Sequence, residues 1–199
     1  MTTLTSLNYT PVEAPTRKAH KYTKPERQCW RTPNTPAQPV LQLVARSLDG
    51  GEIGLDPCAD DARTVPAHNH ITFAQNCLVA NWHYPGAPQG AFINPPFDQP
   101  HLYLARAVEM LHRNNIQEAI ALLKIGTLSD QKTGALIKAH ASAVCCWGAG
   151  KAGRMAFVDC DGYAVSGADF DTCSVYFGKS PGRFMQVFDQ WGLVAKIQG

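Results

Sequence analysis

Apolar residues recur along the chain in two alternating patterns, one typical of helices and the other of buried strands. Helical spacing predicts helices over residues 40–48, 102–113, 134–139 and 184–190. Short apolar runs predict strands over residues 53–56, 70–73, 91–94, 119–123, 143–147, 154–158 and 174–177. Because helices alternate with buried strands, the sequence predicts an α/β domain with a mostly parallel central sheet.

The start of the first helix is indicated by its polar and proline residues. Thr35 is a suitable N-cap, and Pro39 is tolerated in a first turn, so we expect this helix to begin within residues 35–39. Its stop signal is the run Asp49-Gly50-Gly51.

Two of the predicted strands end in conspicuous polar residues. Asp56 ends the first strand, and Asn94 ends the third. Ligands of open α/β sheets bind outside the carboxyl ends of the strands. We therefore expect the chemistry of this protein near Asp56 and Asn94.

Composition narrows the class of protein. The chain has 199 residues, 45% of them hydrophobic, which suits one globular domain. No apolar run approaches the roughly 20 residues of a membrane helix, and no signal peptide is indicated. We therefore expect the seven cysteines to be reduced thiols of a cytoplasmic protein. They include no Cys-x-x-Cys pair, so no metal is expected.

The net charge of +2 divides into two unlike parts. Residues 1–31 hold six basic and two acidic side chains, so this segment is +4 and the remainder is −2. Three prolines and the lack of periodicity predict a flexible basic N-terminal arm over residues 1–28, followed by one domain over residues 29–199. The arm is either a solvated tail or a contact for nucleic-acid phosphates.

The run Asn94-Pro95-Pro96-Phe97 directly follows a hydrophobic strand. Its two prolines fix the backbone and remove two amide donors, so the turn cannot continue a strand pairing. The Asn94 side-chain oxygen and the Pro95 carbonyl can each accept one hydrogen of an exocyclic amino group, while Phe97 stacks on a planar ring. Holding both hydrogens localises the nitrogen lone pair for attack on an electrophile. A plain proline turn is the structural alternative.

This run resembles the catalytic motif of amino-methyltransferases that use S-adenosylmethionine, a motif shared by methylases of RNA and of protein glutamine. The wider layout is similar to the phage and prophage-type DNA N6-adenine methyltransferase family. The resemblance spans residues 30 to about 178, and its matching stretches are 30–33, 55–59, 76–78 with Trp82, 94–97 and 153–157. It implies a Rossmann-like class I methyltransferase fold with helices on both faces of the sheet, and a single catalytic domain over residues 29–199.

The resemblance also implies a role for each matching residue. The catalytic group would be Asn94, Pro95, Pro96 and Phe97, and the cofactor S-adenosylmethionine would be bound by Trp30, Thr32, Pro33, Asp56, Pro57, Asn76 and Leu78. Asn76 stands where many relatives have an Asp that accepts a hydrogen bond from the cofactor's adenine amine, and an Asn oxygen can accept the same bond. Alternatives stay open for three of them: Trp30 as a core anchor, Asp56 as a helix cap and Asn76 as a turn residue.

The chain departs from the family pattern between its first strand and its catalytic turn. The usual glycine-rich turn is replaced by Pro57-Cys58-Ala59-Asp60, and only 37 residues separate Asp56 from Asn94. We therefore expect one helix of the usual fold to be lost or reduced to a turn. Asp60 and His68 are the candidates for holding the cofactor ribose.

No segment is long enough for a separate DNA-recognition domain. The candidates for reading sequence are the loops 126–133 and 148–154 and the N-terminal arm. Lys151 and Arg154 are candidate contacts to phosphate or guanine, and the alternative for Arg154 is an ion pair with an acid such as Asp159.

The sequence thus predicts an enzyme that transfers methyl from S-adenosylmethionine to an adenine flipped out of double-stranded DNA. It would act site-specifically in the cytoplasm of a bacterial cell or a phage-infected host, as restriction–modification methylases do, and a chain this small could grip duplex DNA as a homodimer. The alternatives are a methyltransferase of RNA or of a protein amide, and a non-catalytic nucleic-acid-binding protein that keeps the fold.

Overall fold

A seven-stranded sheet organises the part of the chain that the computed structural model describes, which is residues 7–16, 23, 30–148, 153–165 and 170–197. Its strands are β1 (Ile53–Ala59), β2 (Ala67–Thr72), β3 (Gly90–Ile93), β4 (Glu118–Lys124), β5 (Ala143–Trp147), β6 (Thr172–Phe177) and β7 (Gly192–Lys196). The helices are α1 (Val40–Ser47), α2 (Pro100–His112), α3 (Gln131–His140) and α4 (Pro181–Phe188). Short 3-10 turns lie at Asp49–Gly51, Phe73–Gln75 and Ile125–Ser129.

The strand order of the sheet is β2-β1-β3-β4-β6-β5-β7. The first four of these strands are parallel neighbours, whereas β6 is antiparallel to both β4 and β5, and β7 is antiparallel to β5. The carboxyl ends of β2, β1, β3 and β4 therefore meet along one side of the sheet, called here the carboxyl edge. The expected parallel arrangement holds in the half of the sheet that carries the predicted chemistry.

Helices pack on both faces of the sheet. Phe92 and Ile120 belong to the hydrophobic cluster that includes α1 and α4, whereas their neighbours Ile93 and Ala121 belong to the cluster that includes α2 and α3. Successive side chains of a strand point to opposite faces, so a strand covered on both faces is a continuous apolar run. This burial explains why β3 and β4 were predicted from short apolar runs.

The first helix begins later than its sequence predicts. Thr35 and Gln38 exchange two backbone hydrogen bonds of 3.1 and 3.0 Å, and the Thr35 hydroxyl accepts another from the Gln38 amide. Because these bonds close residues 35–38 into a turn of their own, Thr35 does not cap a helix. Helix α1 begins at Val40, after Pro39.

Near the C-terminal end, the structure lacks one predicted strand and contains one that the sequence does not predict. Residues 154–158 do not form a strand, because the Ala156 amide donates to the Gln38 side chain and only Val158 makes isolated bridges, with Arg31 and Ala164. Strand β7 was not predicted, since it lies at the edge of the sheet, pairs only with β5 and is partly exposed, so it lacks a continuous apolar run.

The connection from β1 to β3 is short, as its sequence indicates. Residues 60–89 are all described, and they contain strand β2 and the 3-10 turn Phe73–Gln75 but no α-helix. The expectation that a helix of the usual fold is lost or reduced to a turn is therefore confirmed.

Part of the predicted N-terminal arm lies on the domain. The Tyr9 hydroxyl accepts a hydrogen bond from the Ile53 amide at 2.7 Å, and the Val12 amide donates to the Asn34 carbonyl at 2.8 Å. The Ala164 amide donates to the Pro15 carbonyl at 2.9 Å. Residues 7–16 are therefore bound to the domain and are not a flexible arm. The hydrogen bonds that hold them involve the backbone and one tyrosine, so the sequence of this segment needs no helical or strand periodicity. The basic residues Arg17, Lys18, Lys21, Lys24 and Arg27 lie outside the described residues.

The cysteines are not all reduced thiols. Cys160 is disulfide-bonded, whereas the free cysteines are Cys58, Cys77, Cys145, Cys146 and Cys173. The expectation of reduced thiols is wrong for Cys160, because the fold brings its thiol within bonding distance of another cysteine, which the spacing of cysteines in the sequence does not indicate. No helix in the described part of the chain has the length and apolar character to cross a membrane.

Candidate active site

Asp56 and Asn94, the two polar residues predicted at strand ends, lie on neighbouring strands near the carboxyl edge, although β1 continues past Asp56 to Ala59, so Asp56 lies within the strand and not at its end. Strands β1 and β3 are parallel neighbours that pair through Leu55 and Ala91. Asp56 follows Leu55 directly, and Asn94 follows the last residue of β3. The topology of the sheet therefore brings together two residues that are far apart in the sequence.

Asp56 is a buried carboxyl at the centre of this edge. Its side chain is 2% exposed and accepts a hydrogen bond from the Cys58 amide at 3.0 Å. Burial raises the pKa of Asp56 from 3.8 to about 7, and the nearby charge of Asp60 acts in the same direction. Asp56 and Cys58 both lie within β1, so Asp56 is not a helix cap. A cation bound beside it would favour its charged form.

The segment 30–33 crosses the carboxyl edge next to Asp56. Arg31 and Val158 exchange backbone hydrogen bonds of 2.7 and 3.1 Å, and the Arg31 guanidinium lies 3.2 Å from the Asp60 carboxylate. Thr32 and Pro33 are buried. These bonds place the segment between the end of β1 and residues 153–158, where it forms one wall of the site.

Thr32 fixes the orientation of the Asn94 side chain. The Asn94 Nδ2 donates a hydrogen bond to the Thr32 hydroxyl at 3.2 Å. Among the described residues, no donor is bonded to Asn94 Oδ1 or to the Pro95 carbonyl. The two oxygens that the sequence singled out as acceptors of an amino group are therefore both available.

Four aromatic side chains form one cluster beside this turn, called here the aromatic cluster. The Phe97 ring meets the rings of Phe157 and Phe170 edge to face, with centroids 6.1 and 5.3 Å apart. Trp30 stacks on Phe157 at 5.8 Å and on Phe170 at 6.4 Å. The cluster holds Phe97 in place, since edge-to-face and offset stacked pairs at such distances are favourable.

Gln38 positions the strand-like segment that carries Phe157. Its Nε2 donates to the Arg154 carbonyl at 2.8 Å, and its Oε1 accepts from the Ala156 amide at 2.7 Å. Gln38 is 5% exposed, so both bonds are shielded from water. The Gln38 side chain thus holds residues 154–156 in place, and this position of the backbone puts Phe157 in the aromatic cluster.

A cleft of about 540 Å³ opens on the other side of Phe97. It lies between the start of α2 and the segment that joins β4 to α3. Its lining residues are Phe97, Asp98, Pro100, His101, Lys124, Gly126, Thr127, Asp130, Gln131, Lys132 and Thr133. Residues 126–133, which the sequence indicated as a loop that could read DNA, form most of a 3-10 turn and the start of α3, and they lie in the same cleft as Phe97.

The residues expected to bind the cofactor adenine lie beyond the end of β2. Asn76 has a φ of 52°, and its side-chain Oδ1 accepts a hydrogen bond from the Leu78 amide at 3.2 Å. Asn76 thus shapes its own turn, and Leu78 is half-buried against the cluster of α2 and α3. Phe73, the first residue after β2, is 92% exposed. The Phe73 ring therefore does not pack in the core, and the 3-10 turn that begins at Phe73 does not require an aromatic side chain.

The candidates for the ribose contact separate in the structure. Asp60 directly follows β1 at the carboxyl edge, where its carboxylate accepts hydrogen bonds from the Thr64 amide and hydroxyl. His68 lies near the amino end of β2, and its ring is 2.8 Å from the Glu52 carboxylate. Because β1 and β2 are parallel, His68 is at the wrong end of the sheet for this role.

The two predicted DNA contacts are only partly described. Arg154 is exposed, and its guanidinium forms an ion pair with the carboxylate of Asp171 at 2.9 Å. Lys151 lies outside the described residues.

Three residues of the site had no role in the sequence interpretation. Phe157 and Phe170 belong to the aromatic cluster, and Lys124 ends β4 with its ammonium over two of the rings. Phe157 lies in a stretch that matches the family, and Lys124 is the first charged residue after a buried apolar run, so each had a detectable signal. Phe170 follows no pattern, because only the fold brings it to the site.

The fold and the comparisons together define the class of protein. A mixed α/β sheet that is parallel in its core, covered by helices on both faces, is consistent with a methyltransferase-like fold. The family model of DNA N-6-adenine-methyltransferase (Dam) matches residues 19–181. The chain belongs to this family, whose general activity is the methylation of adenine N6 in DNA, and the resemblance seen in the sequence is confirmed. No match was found among curated proteins, and none among solved structures.

Proposed function

We propose that the chain transfers a methyl group from S-adenosylmethionine to the exocyclic amine of an adenine flipped out of double-stranded DNA. The observation that carries this proposal is the Asn94 amide, which Thr32 holds with its oxygen available beside the equally available Pro95 carbonyl. Two acceptors next to an aromatic ring match the two hydrogens of an adenine amine. Membership of the DNA N-6-adenine-methyltransferase family supports adenine as the base and DNA as the nucleic acid.

The residues at the carboxyl edge fit a cationic cofactor. Asp56 is a buried carboxyl without an ion-pair partner among the described residues, and its raised pKa reflects a site that favours a neutral form until a cation arrives. The amino-acid end of the cofactor would lie between Asp56 with Pro57 and the wall formed by Trp30, Thr32 and Pro33. S-adenosylmethionine, when bound, supplies a methyl group on a sulfonium whose sulfur leaves as a neutral thioether.

The adenine of the cofactor would lie toward β2, the neighbour of β1. Asn76 Oδ1 already accepts one hydrogen bond and can accept a second through its other lone pair. Leu78 would pack against the ring, and the exposed Phe73 would cover its other side. This arrangement directs the methyl group toward β3 and Asn94.

Catalysis would rest on positioning and on charge. The Asn94 and Pro95 oxygens hold the target amine in line with the methyl group, and Pro96 keeps their turn rigid while Phe97 stacks on the base. As the amine gains positive charge, the same two oxygens stabilise it. The alkylated amine is acidic enough to lose its proton to water, so no strong base is required.

The fold and cellular context of this activity are also proposals. The strand order and the helices on both faces support a Rossmann-like class I methyltransferase fold, with a catalytic domain over residues 29–199. DNA would be contacted by Lys151, by Arg154 after release from Asp171, and by the basic side chains of the arm within residues 1–28. We place the enzyme in the cytoplasm of a bacterial or phage-infected cell, as a site-specific methylase of the phage, prophage or restriction–modification type that acts on duplex DNA as a homodimer.

The proposed reaction is tested by incubating the purified protein with labelled S-adenosylmethionine and duplex DNA, and digesting the DNA to nucleosides. We expect the label in N6-methyl-2′-deoxyadenosine, and calorimetry should show binding of the cofactor. Label in RNA or in a protein amide would favour the alternative substrates. A protein that binds DNA but not the cofactor would be a non-catalytic member of the family.

A further inference from the structure

Lys124 ends β4 with its ammonium resting on aromatic rings. The Nζ atom lies 4.5 Å from the centroid of Phe170 and 5.2 Å from that of Phe97. Within the described residues no carboxylate lies at ion-pair distance from this ammonium, although the side chain is half-buried. Lys124 is thus a cation held by ring faces and without an anion.

This position conflicts with the proposed reaction. Phe97 is the ring on which the target adenine would stack, and the ammonium lies over that same ring. Its charge would also repel both the sulfonium and the positive charge that develops on the adenine amine. In the productive complex, the ammonium therefore has to leave Phe97 and meet an anion.

The cleft beside Phe97 gives the ammonium a place to go. Lys124 lines this cleft together with Lys132, Asp98 and Asp130. The Asp130 carboxylate accepts hydrogen bonds from the backbone amides at the start of α3, so it already has partners. The two lysines offset the two aspartates in formal charge, so the cleft carries no net negative charge that would exclude a phosphate. An adenine that enters from DNA brings an anion of its own, the phosphodiester, to which the displaced ammonium can bind.

We propose that Lys124 is a positioning residue that binds the DNA phosphate beside the target adenine. In the free protein its ammonium rests on Phe97 and Phe170, and it moves to the phosphate when the base takes its place on Phe97. A charge-assisted hydrogen bond then replaces the contact with the rings. Entry of the base and capture of the backbone become one event. This inference rests on the proposed function.

The salt dependence of DNA binding tests the proposal. Each phosphate contact contributes about one unit to the slope of log affinity against log salt. Lys124→Gln should make that slope less steep by about one unit. It should also weaken DNA binding about fivefold to tenfold at about 0.15 M salt. Lys124→Arg should retain the slope. Lys196→Gln is the matched control, since Lys196 is an exposed lysine on β7 at the far side of the sheet, and it should change nothing.

A neutral methylphosphonate beside the target adenine locates the contact. It should weaken binding by the wild-type protein and cause no further loss in Lys124→Gln, whereas calorimetry should give both proteins the same affinity for S-adenosylmethionine. An unchanged salt slope in Lys124→Gln would overturn the role of Lys124. So would a result in which the methylphosphonate, at either phosphate next to the adenine, weakens DNA binding by Lys124→Gln as much as it weakens binding by the wild type. If the wild-type protein methylates DNA, such a result removes this inference alone. A wild-type protein without methyl transfer would remove the proposed function as well.

Discussion

The Asn94 amide nitrogen donates a hydrogen bond to the Thr32 hydroxyl, which joins two segments that are 62 positions apart in the sequence. An amide has two ends of similar shape, and this bond engages the nitrogen end, which leaves the oxygen as the end that can accept from a ligand. The segment proposed to contact the cofactor and the turn proposed to hold the target amine are therefore joined directly. This coupling leads to the first prediction.

Thr32→Val should slow methyl transfer while leaving the fold intact. Valine has the shape of threonine but cannot accept the bond, so the Asn94 amide loses its fixed orientation. A net hydrogen bond contributes about 1 kcal/mol, which corresponds to a loss of roughly fivefold in kcat. Steady-state kinetics of labelled methyl transfer measures this, with Thr32→Ser as the control that should retain the rate. Equal rates in the valine and serine variants would contradict the assigned role.

Asp56→Asn should stabilise the protein above neutral pH. The pKa of Asp56 is raised to about 7, so between about pH 4 and pH 7 the folded state retains a proton that the unfolded state has lost. The free energy of unfolding therefore falls as the pH rises through that window, and it stays lowered above pH 7. Asparagine removes this loss, a gain on the order of a few kcal/mol. Urea denaturation should show the gain at pH 8 and little difference at pH 4, and equal curves at both values would count against a buried, ionisable Asp56.

The same carboxyl should make cofactor binding depend on pH. A bound cation favours ionised Asp56, so the affinity of the wild-type protein for S-adenosylmethionine should increase as the pH rises from 6 to 8. In Asp56→Asn the affinity should be weaker, and its dependence on pH should be flatter over that range. Calorimetry at several pH values measures both. An identical pH profile in the two proteins would place the cofactor away from Asp56.

Gln38→Ala should loosen the aromatic cluster. The substitution removes two buried hydrogen bonds to residues 154–156 and leaves their backbone groups without these partners, at a cost of about 2 kcal/mol. Thermal unfolding measures the loss, and the tryptophan fluorescence of Trp30 should report the altered packing. Gln190→Ala, at an exposed position after α4, is the control and should leave both signals unchanged.

Phe97→Ala should weaken the grip on the flipped base. Stacking of a base on an aromatic ring is worth about 1–3 kcal/mol, so the affinity for target DNA should fall roughly tenfold or more. A duplex with 2-aminopurine in place of the target adenine measures base flipping through its fluorescence. Phe97→Tyr keeps a ring and should retain most of the signal. An alanine variant that flips the base as well as the wild type would locate the base elsewhere.

Much of the sheet could be predicted because its strands are short, buried runs. Strands β3, β4 and β5 are covered on one or both faces, so their sequences are apolar wherever the structure requires it. The sequence does not indicate β7 because it is an edge strand. Residues 154–158 have the apolar side chains of a buried strand, but their backbone groups bond to Gln38 and Arg31 and not to a sheet. Those partners lie more than a hundred positions away, which no local pattern can indicate.

The site residues that lie in or next to a single strand could be predicted from the sequence. The contacts between residues from several separate segments could not. Asn94 follows β3 and Asp56 lies in the carboxyl half of the neighbouring strand β1, so the general rule for α/β sheets places both near the same edge. The role of Thr32 as the partner of Asn94 depends on how segment 30–33 crosses the edge. Lys124 and Phe170 can be assigned to the site only from their distances to Phe97 in the structure.

The most direct test of the account is methyl transfer to DNA by the wild-type protein and by Asn94→Ala, measured as labelled N6-methyl-2′-deoxyadenosine after digestion of the DNA. Alanine removes one of the two acceptors that stabilise the charged amine, so the rate should fall about 100-fold or more while cofactor affinity is retained. A full rate of transfer by Asn94→Ala would contradict the central claim that this amide holds the target amine.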